Sequence, residues 1–190
     1  MNEYIKAVVF GANNGDTSLT PQHLVNNLYN HYKDFKMNFN TTYNKNGFLS
    51  ITITSISSGN ELQPPIYLNF MPGTGMPIFL RDLINTKNDS ISFRQGVIPQ
   101  ITDSVRLFEL SLDRTNPKYG EIIEALNNSL GNFLSNYTAT FSLTNDELIV
   151  YYDCNLPNNL MHYNHRYKAA FRYKTLRNVI KPNFINLLLN

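Results

Sequence analysis

The chain has 190 residues, 42% hydrophobic and 13% aromatic, which is enough apolar material for one sizeable core and too much for a disordered chain. Charged residues make up only 16%, against about 25% in soluble proteins generally, and 28 asparagines fill the gap. A single cysteine, Cys154, excludes an internal disulfide, and no run approaches the ~18 apolar residues of a membrane-spanning helix.

The composition has two readings. Asn, Ile, Tyr and Phe rise together, as AT-rich codon drift would make them, yet lysine stays at 9 residues. A surface selected for contact fits as well, because lysine and glutamate are depleted at interface cores and aromatics are enriched there.

In chain order, residues 4–10 read as a short strand and Gly11 to Asp16 as turn material. Thr20-Pro21 starts a helix, with Thr as cap and Pro in the first turn. Leu24, Val25, Leu28, Tyr32 and Phe35 fall on one helical face. A hairpin follows, in which Met37, Phe39, Thr41 and Tyr43 alternate with polar residues up to Asn46-Gly47. Leu49, Ile51 and Ile53 alternate after it as the buried face. Ile66 to Phe70 reads as a strand, 71–77 as a Gly/Pro-rich loop and Ile78 to Ile84 as a short helix. Strands are expected at about 90–94 and 104–112.

Residues 116–153 repeat the pattern of 20–57. Asn116-Pro117 starts a helix carrying Ile122, Ile123, Leu126, Leu130 and Phe133. Tyr137 to Leu143 and Leu148 to Tyr152 supply a second hairpin. A shift of 98 positions sets Leu24 on Ile122, Leu28 on Leu126, Phe35 on Phe133, Phe39 on Tyr137 and Tyr43 on Phe141. One extra residue in the second turn keeps Phe48-Leu49 in step with Glu147-Leu148.

The expected fold is α+β: two helix-plus-hairpin units packed as an antiparallel or mixed sheet with helices on one face, plus a basic C-terminal extension. The expected organisation is one domain over 1–153 and an extension over 154–190. Charge divides at the same boundary, net −4 before it and +6 after it.

No motif carries chemistry. Gly11 to Ser18 lies where a phosphate loop would, without the Gly-Lys-Ser/Thr ending. Cys154, His162 and His165, with Asp153 nearby, match no structural zinc spacing. As nucleophile and base they lack any supporting motif. His23 and His31 stand eight residues apart on the first helix and read as surface residues. Glu121 and Glu124 suit the first turn of a helix without any catalytic role. The reading is therefore non-enzymatic, with no catalytic or metal residues, no cofactor, no membrane partner and no small-molecule substrate. An enzyme of unrecognised type ranks third.

Two segments are candidate partner-binding sites. Met71, Gly73, Gly75 and Met76 combine backbone freedom with adaptable side chains. Arg166, Tyr167, Lys168, Arg172, Tyr173, Lys174 and Arg177 interleave cations with rings. That mixture suits an acidic neighbouring subunit, a nucleic acid, or simply a solvated face. The first function expected is a structural assembly subunit, homo-oligomeric or joined to other structural subunits. A phage virion component of neck, connector or tail-ring type would have this profile, made in the cytoplasm and carried in the virion. Nucleic-acid binding through 162–181 is the alternative.

Overall fold

The computed structural model describes Tyr4 and residues 36–57, 60–61, 65–71, 73–136 and 139–190. The chain divides into two compact units, Met1–Phe79 and Leu80–Asn190, so the boundary falls inside the first of the two expected domains. The expected strand at 4–10 lies outside the described residues except for Tyr4, which is helical. The turn at Gly11 to Asp16 and the helix from Thr20 also lie outside them.

The first unit is built on a hairpin of β1 (Lys36–Lys45) and β2 (Phe48–Ser57). Asn46 and Gly47 take φ of 53° and 82°, the left-handed pair that a two-residue turn needs and that Asn-Gly tolerates best. The far edge of β2 pairs with β3 (Asn60–Glu61) and β4 (Ile66–Phe70). The result is a three-stranded antiparallel sheet whose third strand comes in two pieces.

The expected faces of this hairpin are corrected by one residue. The register slips between Thr41 and Tyr43, so that Thr41 faces Ile51 while Tyr43 faces Ser50. An inserted residue in one strand reverses the alternation beyond it. Tyr43 thereby joins the face of β2 that carries Phe48 and Ser50, and all three are buried, Ser50 completely. Leu49, Ile51 and Ile53, expected inside, are half-exposed, and Phe39 is 77% exposed.

The second unit opens with α1 (Leu80–Leu83), inside the span where a short helix is expected. Next comes α2 (Lys87–Ser111), one helix of 25 residues where two strands were expected. Phe93, Val97, Ile101 and Val105 recur every four residues and are all buried, which is a helical stripe and not a strand pattern. Thr86 caps it: its Oγ1 accepts from the Asp89 N–H at 3.1 Å and donates to the Asp89 carboxylate at 2.7 Å. Pro99 lies in the helix interior.

After α2 come α3 (Tyr119–Asn136), β5 (Thr140–Leu143), β6 (Glu147–Asp153) and β7 (Arg166–Arg172). Short 3₁₀ turns at Asn158–Tyr163 and Tyr173–Leu176 and a final helix, α4 (Pro182–Leu189), complete the unit. The strands form a three-stranded antiparallel sheet in the order β5-β6-β7. No pairing among the described strands joins it to the first sheet, so the single merged sheet expected from the repeat is replaced by two.

One face of this second sheet carries Phe141, Leu143, Leu148, Val150, Tyr152, Tyr167 and Ala169, all buried. α3 covers it through Phe133, whose ring lies 4.6 Å from that of Tyr152. α2 covers it through Phe93 against Phe171 and Phe108 against Tyr167. Gly96 permits this approach, since a Cβ there would come within 3.3 Å of the Phe171 ring. Each large side chain buried here contributes about 1.5–3 kcal/mol. Arg94 of α2 donates to the Leu134 carbonyl near the end of α3, satisfying one of the carbonyls that a helix end leaves open.

Of the expected repeat, both hairpins are present among the described residues, but their buried faces differ. In β2 the buried residues are Phe48 and Ser50, whereas in β6 they are Leu148 and Val150. Under the expected alignment these are opposite faces.

Residues 154–190 are part of this unit's core. Leu156, Leu160, Tyr167, Tyr173, Leu176, Ile180, Phe184, Ile185 and Leu188 are all buried. The Lys181 ammonium donates to the Asp82 carbonyl at 2.8 Å. Ile180 bridges Ile84, tying the end of the chain to α1.

Candidate functional site

The interleaved segment is a β-strand, and its alternation is the period of the pleat. Tyr167, Ala169 and Phe171 face α2 and α3. Arg166, Lys168, Ala170 and Arg172 face the other way. Tyr167 and Tyr173 are each 3% exposed, and the Tyr173 hydroxyl donates to the Thr144 carbonyl at 2.6 Å. The two tyrosines expected as contact residues are thus buried in this chain.

The cations are brought together on the outer face. Arg166 pairs with Asp153 at 2.6 Å. Lys168 lies opposite Tyr151 and Arg172 opposite Glu147 in the β6–β7 register. Lys168 and Arg172 are exposed, as are Lys174 and Arg177 in and just after the following 3₁₀ turn. Half-exposed Ile149 and Tyr151 stand on β6 beside this row, with the Tyr151 hydroxyl 2.9 Å from Ser142 Oγ.

The loop after β4 belongs to the first unit and is a closed turn. The Met71 N–H donates to the Met76 carbonyl at 2.7 Å and the Gly75 N–H to the Met71 carbonyl at 3.2 Å. Gly73 and Gly75 adopt φ of 73° and 65°, which glycine takes without strain. Met76, at the closing bond, is 61% exposed, and Met71 is half-buried.

The Cys154 thiol is buried and engaged by the backbone of His165, accepting from its N–H at 3.0 Å and donating to its carbonyl at 3.1 Å. Burial pushes the thiol pKa up, away from the thiolate that a nucleophile needs. The His165 ring stacks on Phe108 with centroids 4.9 Å apart, and the His162 ring lies against Tyr163. Among the described residues no three His, Cys, Asp or Glu side chains cluster as metal ligands would. His23, His31 and Gly11 to Ser18 lie outside the described residues.

A cavity of about 690 Å³, absent from the sequence-based expectations, opens beside α3. Its walls include Glu121, Glu124, Asn128 and Asn132 from one face of α3, with Asp153 and Asn155 across from them. The spacing of 121, 124, 128 and 132 marks a polar helical face that was visible in the sequence. Tyr152 also lines it, its hydroxyl donating to Ser129 Oγ at 2.7 Å, and burial raises its pKa to about 12.

No family model and no curated protein match the chain. Among solved structures it is similar to a DUF3298 family protein from Pseudomonas aeruginosa PAO1, with a TM-score of 0.50 and 12% identity. The match covers 86% of this chain and 71% of that one. At that identity the likeness concerns the fold. Among the described residues no helix is long and apolar enough to cross a membrane.

Proposed function

We propose that the protein is a non-enzymatic assembly subunit that docks on acidic surfaces of neighbouring protein subunits through the outer face of its second sheet. The observation that carries this reading is the alternation of β7, with cations outward and rings inward. Single-stranded nucleic acid is gripped by a series of exposed rings as well as by cations, and Tyr167 and Tyr173, the rings interleaved with these cations, are buried. Arg and Tyr are the residues that anchor protein interfaces, and Arg172, Lys168 and Tyr151 stand together on this face. The −4 balance of residues 1–153 supplies charge of the opposite sign on another copy. The reading is the same whether the neighbours belong to a virion or to a cellular assembly.

Replacing Lys168 and Arg172 together with Glu tests it. Light scattering of the full chain, alone and with its co-expressed neighbours, is expected to show association weakened at least tenfold. Association in the parent chain should also weaken with rising salt, as steering by exposed charge does. Unchanged association in the double variant would overturn the reading. Salt-sensitive binding to a labelled oligonucleotide that the same variant abolishes would replace it with the nucleic-acid alternative.

A further inference from the structure

We propose that the outer edge of β1 pairs antiparallel with β1 of a second copy, across a two-fold axis centred on Phe39. This rests on the assembly reading above and adds an interface in the first unit. β1 is ten residues long, and among the described residues it pairs with β2 alone. A sheet edge of that length is a template for further pairing unless charge, proline or brevity blunts it. Between Lys36 and Lys45 the strand reads Met-Asn-Phe-Asn-Thr-Thr-Tyr-Asn, without a charge, a proline or a glycine.

The segment is also self-complementary. A two-fold contact must match itself, residue i meeting j and j meeting i. Asn38-Phe39-Asn40 reads the same in both directions. Pairing centred on Phe39 sets Phe39 against its twin, Asn38 against Asn40 and Met37 against Thr41. Lys36 then meets Thr42, so no like charges face each other. The slip between Thr41 and Tyr43 ends the regular segment on both sides, as a bulge does.

The pairing also gives Phe39 a purpose. Its side chain is 77% exposed. It lies opposite Ile53, which lies opposite Ile66, so the three form one row across the sheet. In the paired copy that row continues through a second Phe39, Ile53 and Ile66. Aromatic pairs directly across two strands are among the stabilising ones.

The test uses the full chain with Phe39→Cys. Facing residues in an antiparallel pair have Cα atoms about 4.5–5.5 Å apart, within disulfide reach. Mild oxidation should therefore give a disulfide-linked dimer. Thr41→Cys alone should not cross-link, whereas Thr41→Cys mixed with Met37→Cys should. Phe39→Lys, at a position outside the core, should keep the parent circular dichroism and weaken dimerisation at least tenfold by light scattering. Equal cross-linking of Phe39→Cys and Thr41→Cys, or an intact dimer in Phe39→Lys, overturns the pairing. If the pairing fails while the Lys168/Arg172 variant still loses association, the docking reading stands alone. A chain that is monomeric at every concentration and with every neighbour overturns both.

Discussion

Tyr152 shows how one side chain ties packing to pH. Its ring packs against those of Phe133 and Tyr167, and its hydroxyl bonds Ser129. Burial raises the phenol from 10.0 to about 12, so the fold favours the neutral form. The fold's stability is therefore unaffected by this group's titration below pH 10 and falls as pH rises from about 10 to 12, where the folded state holds the proton that the unfolded chain has lost. Tyr167 is raised by burial too, with the neighbouring Cys154 thiol adding to it, and it acts in the same direction. Denaturant titrations between pH 8 and 12 should show this fall, shallower in Tyr152→Phe. At pH 7 the same variant should lose about 1 kcal/mol, the ordinary worth of one hydroxyl hydrogen bond.

Among the elements, α2 depends most on its ends and its interior. Thr86→Ala removes the acceptor for the Asp89 N–H and should lower stability by about 1 kcal/mol. Pro99 cannot donate to the carbonyl four residues back, so Pro99→Ala should raise the unfolding midpoint in the same denaturant assay. These elements also show what the sequence made legible. Asn46-Gly47 announced its hairpin because few other pairs accept two positive φ values. The helix α2 was hidden because Pro99 and a run of β-branched residues resemble strand punctuation, although Phe93, Val97, Ile101 and Val105 kept a helical period. The bulge at Thr41/Tyr43 could not be read, since alternation on paper has no record of an extra residue. The cations of β7 were legible as a cluster. Their separation from Tyr167 and Tyr173 was not, because it depends on which face α2 and α3 cover. The cavity beside α3 was half legible: the polar face at 121, 124, 128 and 132 was in the sequence, while the opposite wall comes from residues far along the chain.

At the scale of the molecule, the two sheets belong to two compact units. Residues 80–190 contain a complete three-stranded sheet covered by α2 and α3, and their last helix is tied to α1. Expressed alone, this fragment should unfold in one cooperative transition by circular dichroism. Truncation after Cys154 should abolish that transition, because it removes β7 and α4 together with Tyr167, Leu176, Ile180, Phe184 and Leu188 from the core. The cationic face and the β1 edge lie in different units, so substitutions at Arg172 and at Phe39 should weaken association independently and additively.

Cys154 sits just past the end of β6, with its sulfur clasped by the His165 backbone across the strand pair. As the chain's sole thiol, it is a built-in clock for the breathing of that end of the sheet. A thiol reagent can reach it only when the clasp lets go, so its labelling rate counts openings and not collisions. A bound neighbour on the outer face would slow that clock without touching the sulfur.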